Sequence, residues 1–268
     1  MSRISIAIGF VLLVGSLCFL PLLSARQGDG GSQAAAVSPA EEKEWLEFYY
    51  ENPTPEKFVG QMKDWAEDGT LDNELARPAL IAFVSQLIRQ NIGMLKQWYE
   101  ALAGLSPEQM QVVHTAMLFS RTEEADEIMR DLFGKGYEDQ KLETQKILEM
   151  PLDKGATIDM LWGYFYATGS ESAIRRIVVA FRFREAPENP PGVKVPDGYV
   201  PLYKELPDFV LGALVANGER HPRVIEILRE LHEKDESLLK VERDGIYEVL
   251  STLDPASYPP IDPKKKAA

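Results

Sequence analysis

The sequence predicts an all-α protein of stacked antiparallel helical hairpins, an α-solenoid-like arrangement of about 10–12 helices. Three observations predict it. From Glu41 onward apolar residues recur three and four apart, the spacing that gathers side chains on one helix face, and no stretch keeps the two-residue alternation of a strand. Four segments align with one another as helix-turn-helix units. Turn and capping residues such as Gly69, Ser106, Thr122 and Gly169 separate the periodic stretches.

The clearest unit runs from Ile158 to Phe181. Ile158, Leu161, Trp162 and Phe165 form the stripe of its first arm; Gly169 ends that arm by taking the left-handed conformation without a Cβ clash, and Ser170 is placed to cap the second. The second arm carries Ile174, Ile177, Val178 and Phe181. Forty-nine residues upstream Ile177, Val178 and Phe181 map onto Ile128, Met129 and Leu132, and downstream, with a one-residue insertion, onto Ile227, Leu228 and Leu231. The hairpin Ala79 to Leu102 supplies Met94, Leu95 and Trp98 at the same places. One such hairpin cannot bury both stripes alone, so units must stack. The unit resembles the helix-turn-helix of the tetratricopeptide and HEAT solenoids, with no signature of either matched in full. In the first arms His114, Gly163 and Gly212 share one register. A helical glycine costs roughly 0.5–1 kcal/mol against alanine, so the two glycines predict close backbone approaches there. His114, four residues from both Met110 and Leu118, reads as a hydrogen-bonded core histidine rather than a catalyst.

In chain order, residues 1–25 read as a signal peptide or an N-terminal membrane anchor. Arg3 precedes Ile4 to Leu23, twenty residues without a charge, long enough to span a bilayer or to serve as a cleavable apolar region. Ser24 and Ala25 favour cleavage and the bulky Leu23 opposes it; Cys18 is a weak lipidation candidate because Leu17 precedes it. Each outcome places the rest of the chain outside the cytoplasm. Cys18 is the one cysteine, so the remainder has no thiol chemistry. Residues 26–40, rich in Gly, Ser and Ala, are a flexible linker; 41–258 are the helical repeat domain; 259–268, with three consecutive lysines, are a disordered basic tail.

Within the domain, Glu41 to Tyr50 carries Trp45, Phe48 and Tyr49 on one side, and Pro53 and Pro55 force a turn. A second helix has the stripe Phe58, Met62 and Trp65 and stops at Asp68-Gly69. Asp72 or Asn73 caps a third, with Pro78 in its first turn and Leu80, Phe83, Val84, Leu87 and Ile88 along its face. Ser106 to Gln109 is a capping box, and Thr122 with Glu123 and Glu124 opens a further helix with acids at its positive end. Extra segments separate the later units: a helix near Lys141 to Met150, and Ala186 to Pro207, with six prolines and no helical period.

The net charge of −13 becomes −14 if Arg3 leaves with the signal, and it is spread along the chain. Phosphate binding needs concentrated positive charge, so nucleic acid is excluded as a partner. The densest positive cluster is Arg175, Arg176, Arg182 and Arg184. It is a candidate grip for an acidic partner or a phospholipid head group, with Tyr199 and Tyr203 of the proline-rich segment beside it; alternatively it pairs with Glu171, Glu185 and Glu188. Arg175, Arg182, Arg184, Tyr199 and Tyr203 are therefore the candidate binding residues. No metal-binding, phosphate-binding or nucleophile motif is present, His221 and His232 stand too far apart on one helix to share a metal, and no cofactor or metal is expected.

The stretches YYENPTPEKF, LDNELARPALIAF and IDMLWGYFYATGSESAIRRIV are similar to a group of exported bacterial helical proteins. The resemblance implies an envelope location, periplasmic or anchored to the inner membrane, and brings no activity or catalytic residue. Two functions are expected from different classes. One is an interaction or scaffold module holding an envelope protein or peptide. The other is a carboxylate-dependent hydrolase acting on envelope polysaccharide or peptidoglycan, a chemistry that needs no local motif.

Overall fold

A computed structural model describes residues 44–187 and 202–260. Those residues are helical without a strand. The helices are α1 (44–47), α2 (Phe58–Glu67), α3 (Arg77–Gln90), α4 (Leu95–Ala101), α5 (Pro107–Ser120), α6 (Glu123–Phe133), α7 (Lys135–Glu143), α8 (Gly155–Thr168), α9 (Glu171–Val178), α10 (Leu206–Arg220), α11 (Pro222–Lys234) and α12 (Lys240–Leu253). None of the described helices is long and apolar enough to cross a membrane. The N-terminal run, the linker, Tyr199 and the basic tail lie outside the described residues.

Local chemistry sets most of the boundaries. Ser106 and Gln109 exchange both bonds of the capping box, at 3.1 and 3.2 Å. Thr122 accepts from the Ala125 amide at the start of α6, and Ser170 from the Ser172 amide at the start of α9. Gly69 and Gly169 take positive φ of 84° and 61° and end α2 and α8. Three expectations shift. The first helix ends at 47, where a turn begins. Asn73 caps nothing; it accepts from the Leu75 amide in a local turn, and α3 starts four residues later with Pro78 in its first turn. The helix expected over 141–150 lies earlier, at Lys135–Glu143, because Gly134 at φ 55° allows an immediate restart and Tyr137 and Lys141 fold back onto Asp126 of α6.

The centre of the domain is α3. Leu80 and the unbroken run Ala82 to Ile88 are all buried, so α3 is covered on every side, with α5 against one flank and α8 against the other. Its buried polar groups bond at home: Ser85 donates to the Ala82 carbonyl and Gln86 to Ser85. At its C-terminal end Arg89 donates to the Ser120 carbonyl and Gln90 to the Ala167 carbonyl, the last turns of α5 and α8. The three helices therefore end together and run parallel, each tail supplied with a donor.

Consecutive stacking of the four aligned hairpins does not describe this order. A solenoid would place α5 between α3 and α8; here α3 lies between them. The third and fourth units instead meet through the 3-10 turn Val179–Glu185, which packs on α10 and α12, and through α9 against α11.

The glycine register separates in the same way. A Cβ on Gly163 would lie 2.0 Å from the Ala79 carbonyl oxygen, so α8 and α3 touch backbone to backbone. A Cβ on Gly212 would meet nothing within 4 Å. Gly163→Ala is expected to lower stability by about 1–3 kcal/mol through the clash, whereas Gly212→Ala should be neutral or gain up to about 1 kcal/mol from helix propensity. Paired denaturant titrations check both; equal effects would remove the close contact.

Candidate functional site

Three places concentrate chemistry. The first is the arginine cluster. Arg175 donates to Asp235 at 2.8 Å and to Ser237 at 2.7 Å; Arg182 donates to Glu242 at 2.9 Å; Arg184 meets Glu248 at 3.0 Å and lies over the Phe181 ring; Arg176 donates to the Met150 carbonyl. The acids come from α12 and the turn before it, not from Glu171 or Glu185, and Glu188 lies outside the described residues. Glu242 is 0% exposed, and its other oxygen accepts from the Leu239 amide, so Arg182 neutralises a carboxylate that water cannot reach. Tyr203 packs on Phe183 at 5.6 Å and donates to the Pro187 carbonyl. Arg175, Arg182 and Arg184 thus strap the third unit to the C-terminal helix.

The second place is a buried polar cluster where the segment 44–54 crosses α8 and the α10–α11 corner. Tyr166 on α8 donates to Asn217 on α10 at 2.6 Å, and Glu47 pairs with Arg220. His221, at the start of α11, is fully buried and ringed by Phe48, Phe165 and Tyr166 at 4.5–5.9 Å, with the Tyr50 oxygen 3.4 Å from its Nδ1. Burial, with Arg220 adding like charge, lowers the His221 imidazole to about 4. One helical turn before Gly163, half-buried Asp159 has its carboxyl pushed up by burial to about 6, and its charge is felt at Tyr166. A shallow hollow of about 220 Å³ beside this segment is lined by Glu44, Trp45, Phe48, Asn52, Thr54 and Lys57. Sequence reading missed this cluster because its members come from three separated stretches, 47–50, 159–166 and 217–221. The aromatic crowding in 45–50 is the one local trace of it.

The third place is the outer edge of α6. Leu132 is 48% and Phe133 49% exposed, while the aligned positions Trp98, Phe181 and Leu231 are 3%, 0% and 2% exposed. Phe133 meets the His114 ring edge-on at 5.2 Å, and His114 Nε2 lies 3.1 Å from the Tyr99 hydroxyl. His114 is hydrogen-bonded as expected but half-buried, forming the middle of a row of three rings across α4, α5 and α6. Among the described residues no group of His, Cys, Asp or Glu is arranged to hold a metal ion.

The chain matches no family model, no curated protein and no solved structure.

Two outcomes follow from the geometry. Arg182→Ala should cost about 1–3 kcal/mol, because it strands a buried carboxylate while half of Arg182 already faces water; unchanged melting would mean that Glu242 finds another donor. Asp159 titrates above its unfolded value, so its ionisation opposes folding as pH rises from about 4 to about 6. Asp159→Asn should gain about 1–3 kcal/mol over the parent at pH 7 and nothing at pH 3.5, read from melts at both values.

Proposed function

We propose that the chain is an exported interaction module of the bacterial envelope, holding a cationic amphipathic segment of another envelope protein or peptide along the outer edge of α6. The supporting observation is exposed Leu132, at a position whose three aligned counterparts are buried, with exposed Phe133 beside it. An apolar strip left bare at one place of an otherwise buried series is a surface prepared for an added helix. The chemistry of the partner follows from the charge. Residues 123–143 carry eight acids against Arg130, Lys135 and Lys141, and Arg130 and Lys141 already meet Asp126 or Glu138. A second copy of this acidic chain would be repelled, whereas a helix with lysines flanking leucines would be attracted. Export is supported by the uncharged run Ile4 to Leu23.

The hydrolase reading keeps one supporting observation, the Asp159 carboxyl near the range of a proton donor. The other carboxylate near Tyr166 is Glu47, and it is held by Arg220, which leaves the binding reading ahead.

A fluorescent synthetic helix with a leucine face and a lysine face, and a scrambled peptide of equal composition, test the docking edge. The helix is expected to bind at least tenfold tighter than the scramble, and Leu132→Asp with Phe133→Asp should remove that preference without changing the melting temperature. Equal binding of the two peptides, or full retention by the double variant, would reject the edge.

A further inference from the structure

We propose that His221, buried beneath the segment 44–54, makes that segment an acid-released clasp on the helical body. The clasp is independent of the α6 edge. On the His221 side the Tyr50 amide donates to the Tyr166 carbonyl at 3.0 Å, Glu47 pairs with Arg220, the Phe48 ring lies 4.5 Å from the imidazole, and Tyr50 fits against Gly169 where a Cβ would lie 2.8 Å from its ring; on the other side Trp45 and buried Tyr49 pack against Phe83 of α3 at 5.5 and 5.4 Å. Trp45 donates to Thr54 and closes the segment on itself.

The proton count at His221 gives the direction. Tyr50 has one hydroxyl proton and donates it to Glu51 at 2.9 Å. The Tyr50 oxygen can then only accept from His221, which places the ring proton on Nδ1 and leaves Nε2 a bare lone pair. Nε2 is buried without a partner. A second proton there would create a cation whose new N–H meets no hydrogen-bond acceptor in this packing.

The facing charges do not rescue it. Arg220 repels the imidazolium; Glu47 is engaged with Arg220 and Glu51 with Tyr50, and Arg223 and Glu226, both felt at Tyr50, pair with each other. The charge of Asp159 is felt at Tyr166, whose phenol burial pushes up and keeps neutral. The imidazole titrates at about 4 in the closed state, against an ordinary value of 6.5. The histidine therefore supports closure fully above pH 6.5, and that support is lost progressively as pH falls towards 4. Opening at 44–54 brings water to the ring while α8, packed on α3, and the α10–α11 corner stay in place, and it draws Trp45 and Tyr49 off Phe83.

Hydrogen exchange on the full chain, corrected for intrinsic rates, tests the clasp between pH 7.5 and 4.5. Protection of 44–54, read at the Tyr50 amide, should fall roughly 100-fold while α3 and α8 keep theirs. In His221→Gln the fall should shrink to within about threefold. Protection of 44–54 that stays constant, or that falls together with α3 and α8, would overturn the proposal. If His221→Gln does not fold, the proton resonances of His221 in the parent decide. Titration below pH 5.5 accompanied by opening of 44–54 supports the clasp; titration near 6.5 without opening refutes it.

Discussion

The contact on which the domain depends is the approach of α8 to α3 at Gly163. With the Ala79 carbonyl occupying the space of a Cβ, the two helix backbones lie as close as helices can, and α3 is sealed on that flank. The opposite flank is closed by α5, whose entry is fixed by the Ser106–Gln109 box. A helix covered on both sides cannot present a polar stripe, which is why Ala82 to Ile88 is buried without interruption and why Ser85 and Gln86 bond within the helix. The order α5, α3, α8 follows from this one helix needing two covers, and it takes precedence over the order in which the hairpins occur along the chain.

Helix positions were legible because they depend on neighbours in sequence. Glycine at a helix end, serine three residues before glutamine, and apolar residues three or four apart each act within one or two turns, and Gly169, Ser106 and the stripes of α2, α8 and α11 stand where those rules place them. The neighbour of each hairpin was not legible. Internal similarity says that units can stack; it does not say on which side, and the shared register of Gly163 and Gly212 marks a close contact once and open space once. Burial of the aligned triplets is likewise uneven, because a repeat fixes what a face offers and the topology decides whether anything meets it.

The arginine cluster shows why charge patterns mislead. In sequence Arg175, Arg182 and Arg184 each have an acid three or four residues away, Glu171, Glu185 and Glu188, so the cluster reads either as local ion pairs or as a grip for a partner. Their acceptors are sixty or more residues away, on α12 and the turn before it. Helix α12 has no intrinsic reason to lie on the third unit except its apolar face and these ties. Buried Glu242 fixes its register, since a carboxylate inside the protein tolerates few placements. A patch that looked available to a partner is thereby the seam that joins the last helix to the body.

The same logic of position against surroundings separates the two regions left over. Leu132 and Phe133 are apolar groups in contact with water, an arrangement relieved by adding a partner. His221 is a basic group withheld from water, an arrangement relieved by removing a cover. An apolar edge responds weakly to pH and gains from association; a buried neutral imidazole has little use for a partner and responds to acid. On the two proposed readings they answer to different variables, concentration of a cationic helix in one case and proton activity in the other. Because α6 and the 44–54 segment contact different helices, neither response requires the other.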